Sequence, residues 1–87
     1  MRELFVETCT AAGEDGAASE YDYSILIEEL PGGLENYGVK ITEHGTGKGT
    51  TVPGVTVDFS RINELIALLT RNVVTPTGLP DVLADWL

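Results

Sequence analysis

Glu20-Tyr21-Asp22-Tyr23-Ser24-Ile25-Leu26-Ile27-Glu28-Glu29-Leu30 is the stretch on which the fold turns. Tyr21, Tyr23, Ile25 and Ile27 recur with period two, while Asp22, Ser24 and Glu28 fall between them, joined by Leu26 and Leu30. Successive side chains on a strand point to opposite faces, so this alternation predicts a half-buried β-strand. Its aromatic and β-branched content suits such a surface. Pro31-Gly32-Gly33 ends the strand, because proline has no amide to give the ladder and glycine supplies turn dihedrals.

Working outward, Tyr37, Val39 and Ile41 share a face of a further strand over Asn36 to His44, with Lys40 and Thr42 opposite. The glycine-rich run Gly45-Thr46-Gly47-Lys48-Gly49 connects it to a weaker strand over Thr50 to Val57. Pro53-Gly54 interrupts that strand, which places it at an edge or bends it. Upstream, Arg2 to Thr10 reads as a strand with Leu4 and Val6 on one face and Phe5 and Cys9 on the other. The small, polar, glycine-bearing stretch Ala11 to Ser19 reads as a loop. Sequential strands with short links imply an antiparallel meander.

Past Val57 the period changes. Phe59, Ile62, Leu65, Ile66, Leu69 and Val73 recur at three- and four-residue spacing, the apolar stripe of an amphipathic helix, which Leu68 widens. Asp58 or Ser60 can cap its first amides, and the helix should fray around Arg71-Asn72. After Thr75-Pro76-Thr77-Gly78 a shorter helix carries Leu79, Val82, Leu83, Trp86 and Leu87, with Thr77 as its candidate cap. The expected fold is α+β: a single domain over residues 1–87, with an antiparallel sheet of three to four strands (residues 2–57) and two C-terminal helices packed on one face.

The composition narrows the function classes. The net charge is −9, and residues 1–44 carry ten acids against two bases. Phosphate backbones repel such a surface, so a nucleic-acid partner is not expected, and an anionic membrane surface is disfavoured for the same reason. A basic protein partner is compatible with it, and the plainer reading is that the negative charge keeps a small protein in solution. No apolar run approaches the roughly 20 residues that span a bilayer, the N-terminus has no apolar h-region, and the one cysteine, Cys9, has no partner for an internal disulfide. The expectation is a cytoplasmic protein.

No residue pattern points to catalysis. Gly47-Lys48-Gly49-Thr50 resembles the core of a phosphate-binding loop, but Thr42 stands where the pattern needs its first glycine. A strand follows in place of the helix whose amides would cradle phosphate. His44 is the lone histidine, and a zinc site needs three or four ligands. Its neighbour Glu43 points to the opposite face of a strand. Cys9 lacks cationic neighbours to activate it, and no serine lies in a Gly-x-Ser-x-Gly setting. Glu28 and Glu29 diverge on a strand and form no carboxylate pair. Tyr21, Tyr23 and Tyr37 resemble a stacking platform but lack the basic groove that a nucleic-acid site needs. No catalytic residue, metal ligand or cofactor is assigned.

Glu28-Glu29-Leu30-Pro31 with Glu35-Asn36-Tyr37-Gly38-Val39, and Leu69-Thr70-Arg71-Asn72-Val73-Val74-Thr75-Pro76 followed by Leu79-Pro80-Asp81-Val82-Leu83 and Asp85-Trp86-Leu87, carry a resemblance. Together they are similar to a family of short uncharacterised proteins, mainly from clostridia-like bacteria, over most of the chain from Tyr21 on. The resemblance implies a bacterial cytoplasmic protein of unknown function. The family has no assigned activity, so no site residues carry over.

The resulting expectation is a non-enzymatic protein-interaction or regulatory module. Trp86 and Leu87 are its candidate interaction surface, and its partner is another protein or a second copy in a homodimer. The competing expectation is a small-molecule-binding domain with a shallow pocket near Tyr21, Tyr23 or Tyr37.

Overall fold

The computed structural model describes residues 1–12 and 16–87. Four strands, β1 (Arg2–Ala12), β2 (Ala18–Glu29), β3 (Glu35–Glu43) and β4 (Gly49–Thr56), form one antiparallel sheet in the order β1-β2-β3-β4. Two helices follow, α1 (Phe59–Arg71) and α2 (Leu79–Trp86). The fold is the expected α+β meander with a C-terminal helix pair.

Tyr21, Tyr23 and Ile25 of β2 meet Tyr37, Val39 and Ile41 of β3 in one buried cluster, which Ile62, Leu65, Ile66 and Leu69 of α1 and Leu79 and Leu83 of α2 close. The period-two and period-3.6 stripes are thus two halves of one core. Asp58 is the cap of α1, its carboxylate accepting from the amides of Ser60 (2.8 Å) and Arg61 (3.3 Å). These are two of the four amides that a helix start leaves without partners.

Four sequence readings are corrected. The expected loop over residues 11–19 is shorter, because Ala11 and Ala12 pair with Ser19 and Ala18 and extend the hairpin; the rest of that reading, residues 13–15, lies outside the described residues. The facing of β1 also changes. A register shift between Phe5 and Glu7 bulges the strand at Val6. Leu4, opposite Ile25, therefore shares a face with Cys9, opposite Tyr21, and Phe5 points the other way. Thr77 does not cap α2; Thr75 holds that end, its carbonyl accepting from the Leu79 amide and its hydroxyl from the Gly78 amide. Finally, α1 ends at Arg71 with Asn72 as its cap, where the sequence put its end, but that end is closed and not frayed. The Val74 amide donates to the Leu69 carbonyl and the Val73 amide to the Thr70 carbonyl, a closed Schellman turn. Val73 occupies its left-handed position with φ +46°, where glycine is usual and a β-branched residue is strained.

β4 is both an edge strand and bent. Tyr37 pairs with Thr56 and Val39 with Val52, so Pro53, Gly54 and Val55 face Gly38 alone. The Val52-Pro53 backbone fills the space where a side chain at residue 38 would sit. The face of the sheet opposite the helices also buries two side chains, those of Ser24 and Leu26. Lys40 stands beside Ser24 and Glu3 beside Leu26, so their ion pair (3.4 Å) spans β2 over this spot.

Candidate functional site

α2 packs its buried Leu79 and Leu83 inward, and its next flank carries Val82 and Trp86. The matching flank of α1 carries Leu68 and Asn72, one turn apart. Between them opens a groove of about 450 Å³ lined by Leu68, Asn72, Val74, Val82, Asp85 and Trp86. Its walls are mostly apolar, with two polar groups at the rim. The Asn72 amide nitrogen donates to the Leu68 carbonyl (3.0 Å), which leaves the amide oxygen to offer. Asp85 adds an exposed carboxylate. Asn72 keeps its second N–H as well as the oxygen, while Asp85 only accepts, so the groove suits an apolar group that carries a donor or a cation toward Asp85.

Trp86 is half-buried against the core. The Arg61 guanidinium lies 4.2 Å from the centroid of its ring, a cation–π contact that fixes the indole plane. Leu87 is 78% exposed. Of the two residues singled out from the sequence, Trp86 forms a groove wall and Leu87 stands in solvent. Leu68, Val74, Val82, Asn72 and Asp85 were not singled out as site residues. Leu68 widening the stripe of α1 and Val82 among the apolar residues of α2 are the traces of them in the sequence.

The other candidates fall elsewhere. Tyr21, Tyr23 and Tyr37 lie in the core and do not line this groove. The Tyr23 hydroxyl donates to the Val74 carbonyl (2.7 Å), and burial pushes its pKa up to about 12. The Cys9 thiol donates to the Glu7 carboxylate (3.0 Å) and lies 3.6 Å from the Thr70 carbonyl. Burial and then Glu7 push its pKa up to about 11, so it is a thiol, not a nucleophilic thiolate, near neutral pH. Gly45 to Gly49 form a hairpin turn with φ +85° at Gly45 and +72° at Gly47, and the strand β4 follows. Among the described residues, no group of three His, Cys, Asp or Glu side chains is arranged to hold a metal ion, and no helix is long and apolar enough to cross a membrane.

His44 sits on the sheet face opposite the helices between two carboxylates, with Nε2 2.8 Å from Asp22 and Nδ1 3.2 Å from Glu20. Both contacts can be donated only by the imidazolium. The Asp22 hydrogen bond, foremost, raises the His44 pKa above its ordinary 6.5. Thr8, which donates to Asp22 at 2.6 Å, and then His44 lower the Asp22 pKa below 3.8. The signs are opposite. The histidine's contribution to stability is complete below pH 6.5 and is lost as pH rises through its raised pKa. The aspartate's is complete above pH 3.8 and is lost as pH falls through its lowered one. His44→Gln is therefore expected to flatten the fall in stability as pH rises above 6.5. Urea melts across that range check it, and parallel pH profiles for the two proteins would contradict the contact.

Compared with known proteins, the chain matches at residues 2–87 the model of a family described as a family of unknown function, DUF6514. No curated protein and no solved structure matches it.

Proposed function

This chain belongs to that family of unknown function, and from its geometry we propose a non-enzymatic protein-interaction module that works in the bacterial cytoplasm. The groove between α1 and α2 receives an apolar side chain flanked by a lysine or arginine of a partner protein. The observation that carries the reading is the Trp86 wall. A tryptophan held flat by Arg61 beside Leu68, Val74 and Val82 is a preformed apolar seat, the kind of anchor point that dominates interface energies. The exposed Asp85 carboxylate at the rim supports a partner that brings a cation over one that brings an acid.

Trp86 is the chain's single tryptophan, so intrinsic fluorescence reports on the groove directly. Peptides selected from a random library against the intact protein are expected to pair an aromatic or aliphatic residue with a neighbouring base and to shift the Trp86 emission. Leu68→Glu should abolish their binding, and Asp85→Asn should weaken it about threefold, the scale of an exposed ion pair. Acidic selected peptides, or binding that survives Leu68→Glu, would overturn the reading.

A further inference from the structure

The helices leave one strip of the sheet uncovered, the Arg2–Thr8 part of β1; farther along that strand, Cys9 lies against Thr70 of α1. α1 lies across β2, β3 and β4, and β1 is the outermost strand beyond them. An outer edge presents a row of amides and carbonyls able to pair with another strand. On β1, the consecutive residues Leu4, Phe5 and Val6 are 47%, 58% and 39% exposed. The bulge turns Leu4 to the helix-bearing face and Phe5 to the opposite one, so the edge is apolar on both sides. The far edge is guarded differently: in β4, Pro53 has no amide to offer and the Pro53–Val55 bulge breaks the ladder. β1 contains no proline and no glycine.

We infer that the β1 edge accepts an extended, basic segment of another protein as a fifth strand. Charge selects the occupant. The described part of the β1–β2 hairpin carries Glu3, Glu7, Glu20, Asp22, Glu28 and Glu29 against Arg2 alone, and Arg2 is already paired with Glu35. A second copy paired edge to edge would set one acidic hairpin beside another, and like charges across a strand pair are destabilising. Glu3 and Phe5 share the face opposite the helices, and Leu4 and Glu7 share the helix-bearing one, so a segment that carries both lysine or arginine and apolar residues on each face sets cations beside Glu3 and Glu7 and apolar groups beside Leu4 and Phe5. Main-chain hydrogen bonds then supply affinity, and the alternate side chains supply the choice of partner. This surface is separate from the helix groove, and neither reading depends on the other.

The test uses two labelled ten-residue peptides with the same valines set in adjacent pairs, so that each face carries both kinds of residue, one peptide with pairs of lysine and one with pairs of glutamate between them. Fluorescence anisotropy should show the lysine peptide binding the intact protein, more weakly as salt rises. The glutamate peptide should bind about tenfold more weakly or worse. The double variant Leu4→Lys, Phe5→Lys replaces exposed side chains, so its melting temperature should stay close to wild type while lysine-peptide binding falls about tenfold or more. Equal binding of both peptides, binding of neither, or an unaffected double variant would overturn the inference. So would sedimentation showing a wild-type dimer that the double variant dissociates, which would make the occupant a second copy.

Discussion

A single methyl group placed on Gly38 is expected to cost this domain about 3 kcal/mol, the upper end for overpacking. The Cβ of Gly38→Ala would stand 2.3 Å from the Val52 carbonyl oxygen and 2.6 Å from the Pro53 Cα. Both are backbone atoms, so no side-chain rotation relieves the clash. The β4 bulge would have to lift from β3, and with it the pairings of Tyr37 with Thr56 and Val39 with Val52. Gly54→Ala is the internal comparison. It has an unfavourable φ of +66°, but its Cβ would meet only the Asn36 side-chain nitrogen, at 3.2 Å. That change should cost about 1 kcal/mol. Urea denaturation of both variants checks the order. A Gly38→Ala protein as stable as wild type would mean that the bulge does not cross residue 38. In a chain of 87 residues, whose total stability is roughly 4–13 kcal/mol, the larger loss is a substantial fraction of the whole.

Leu69→Ala should cost a similar amount, about 3 kcal/mol, by the opposite mechanism. Leu69 is fully buried in the cluster where α1 meets the sheet. Truncation loses the transfer free energy of its methyl groups and leaves a cavity that a sheet and a helix cannot both collapse to fill. The carbonyl of residue 69 still accepts from the Val74 amide, so the turn after α1 is retained and the loss comes from packing. At roughly 4–8 °C per kcal/mol for a domain of this size, the melting temperature should fall by about 12–24 °C. Leu87→Ala, at a position 78% exposed, should move stability by no more than about 0.5 kcal/mol. Calorimetry on the two variants separates these outcomes. Equal effects would mean that α1 is not seated on the sheet as described.

The elements were legible wherever one face is buried. Tyr21, Tyr23 and Ile25 alternate because the helices cover only one side of β2, and the stripe from Ile62 to Leu69 repeats because α1 presents one side to the sheet. Pro53-Gly54 announced the bent edge strand. What escaped the sequence depends on partners distant along the chain. The bulge at Val6 arises from how β1 pairs with β2, and no residue of β1 marks it locally. Gly38 lies in an otherwise regular strand pattern, and a glycine there signals a bulge or a close backbone approach, but the strand that crosses it is more than ten residues away. Thr75 and Thr77 are equivalent as local signals, and only the path of the chain into α2 chooses between them. Trp86 was visible as a residue, whereas its groove exists only because Val82 and Trp86 on α2 come to rest beside Leu68 and Asn72 on α1.

The position of β1 outside the shelter of the helices has a further consequence, for how the molecule opens. Every residue of β1 up to Thr8 is exposed, and the core cluster draws on β1 only through the half-buried Cys9 and Ala11. Detaching β1 thus gives up one ladder of hydrogen bonds and little apolar burial. Detaching β2 or β3 dismantles the core. Sub-global openings of this kind lie below global unfolding in free energy. The opened molecule would keep three strands and both helices, and its bonding edge would pass to β2. Amides of β2 that face β1 would then exchange with solvent through this partial opening, while those that face β3 would wait for the whole domain to unfold.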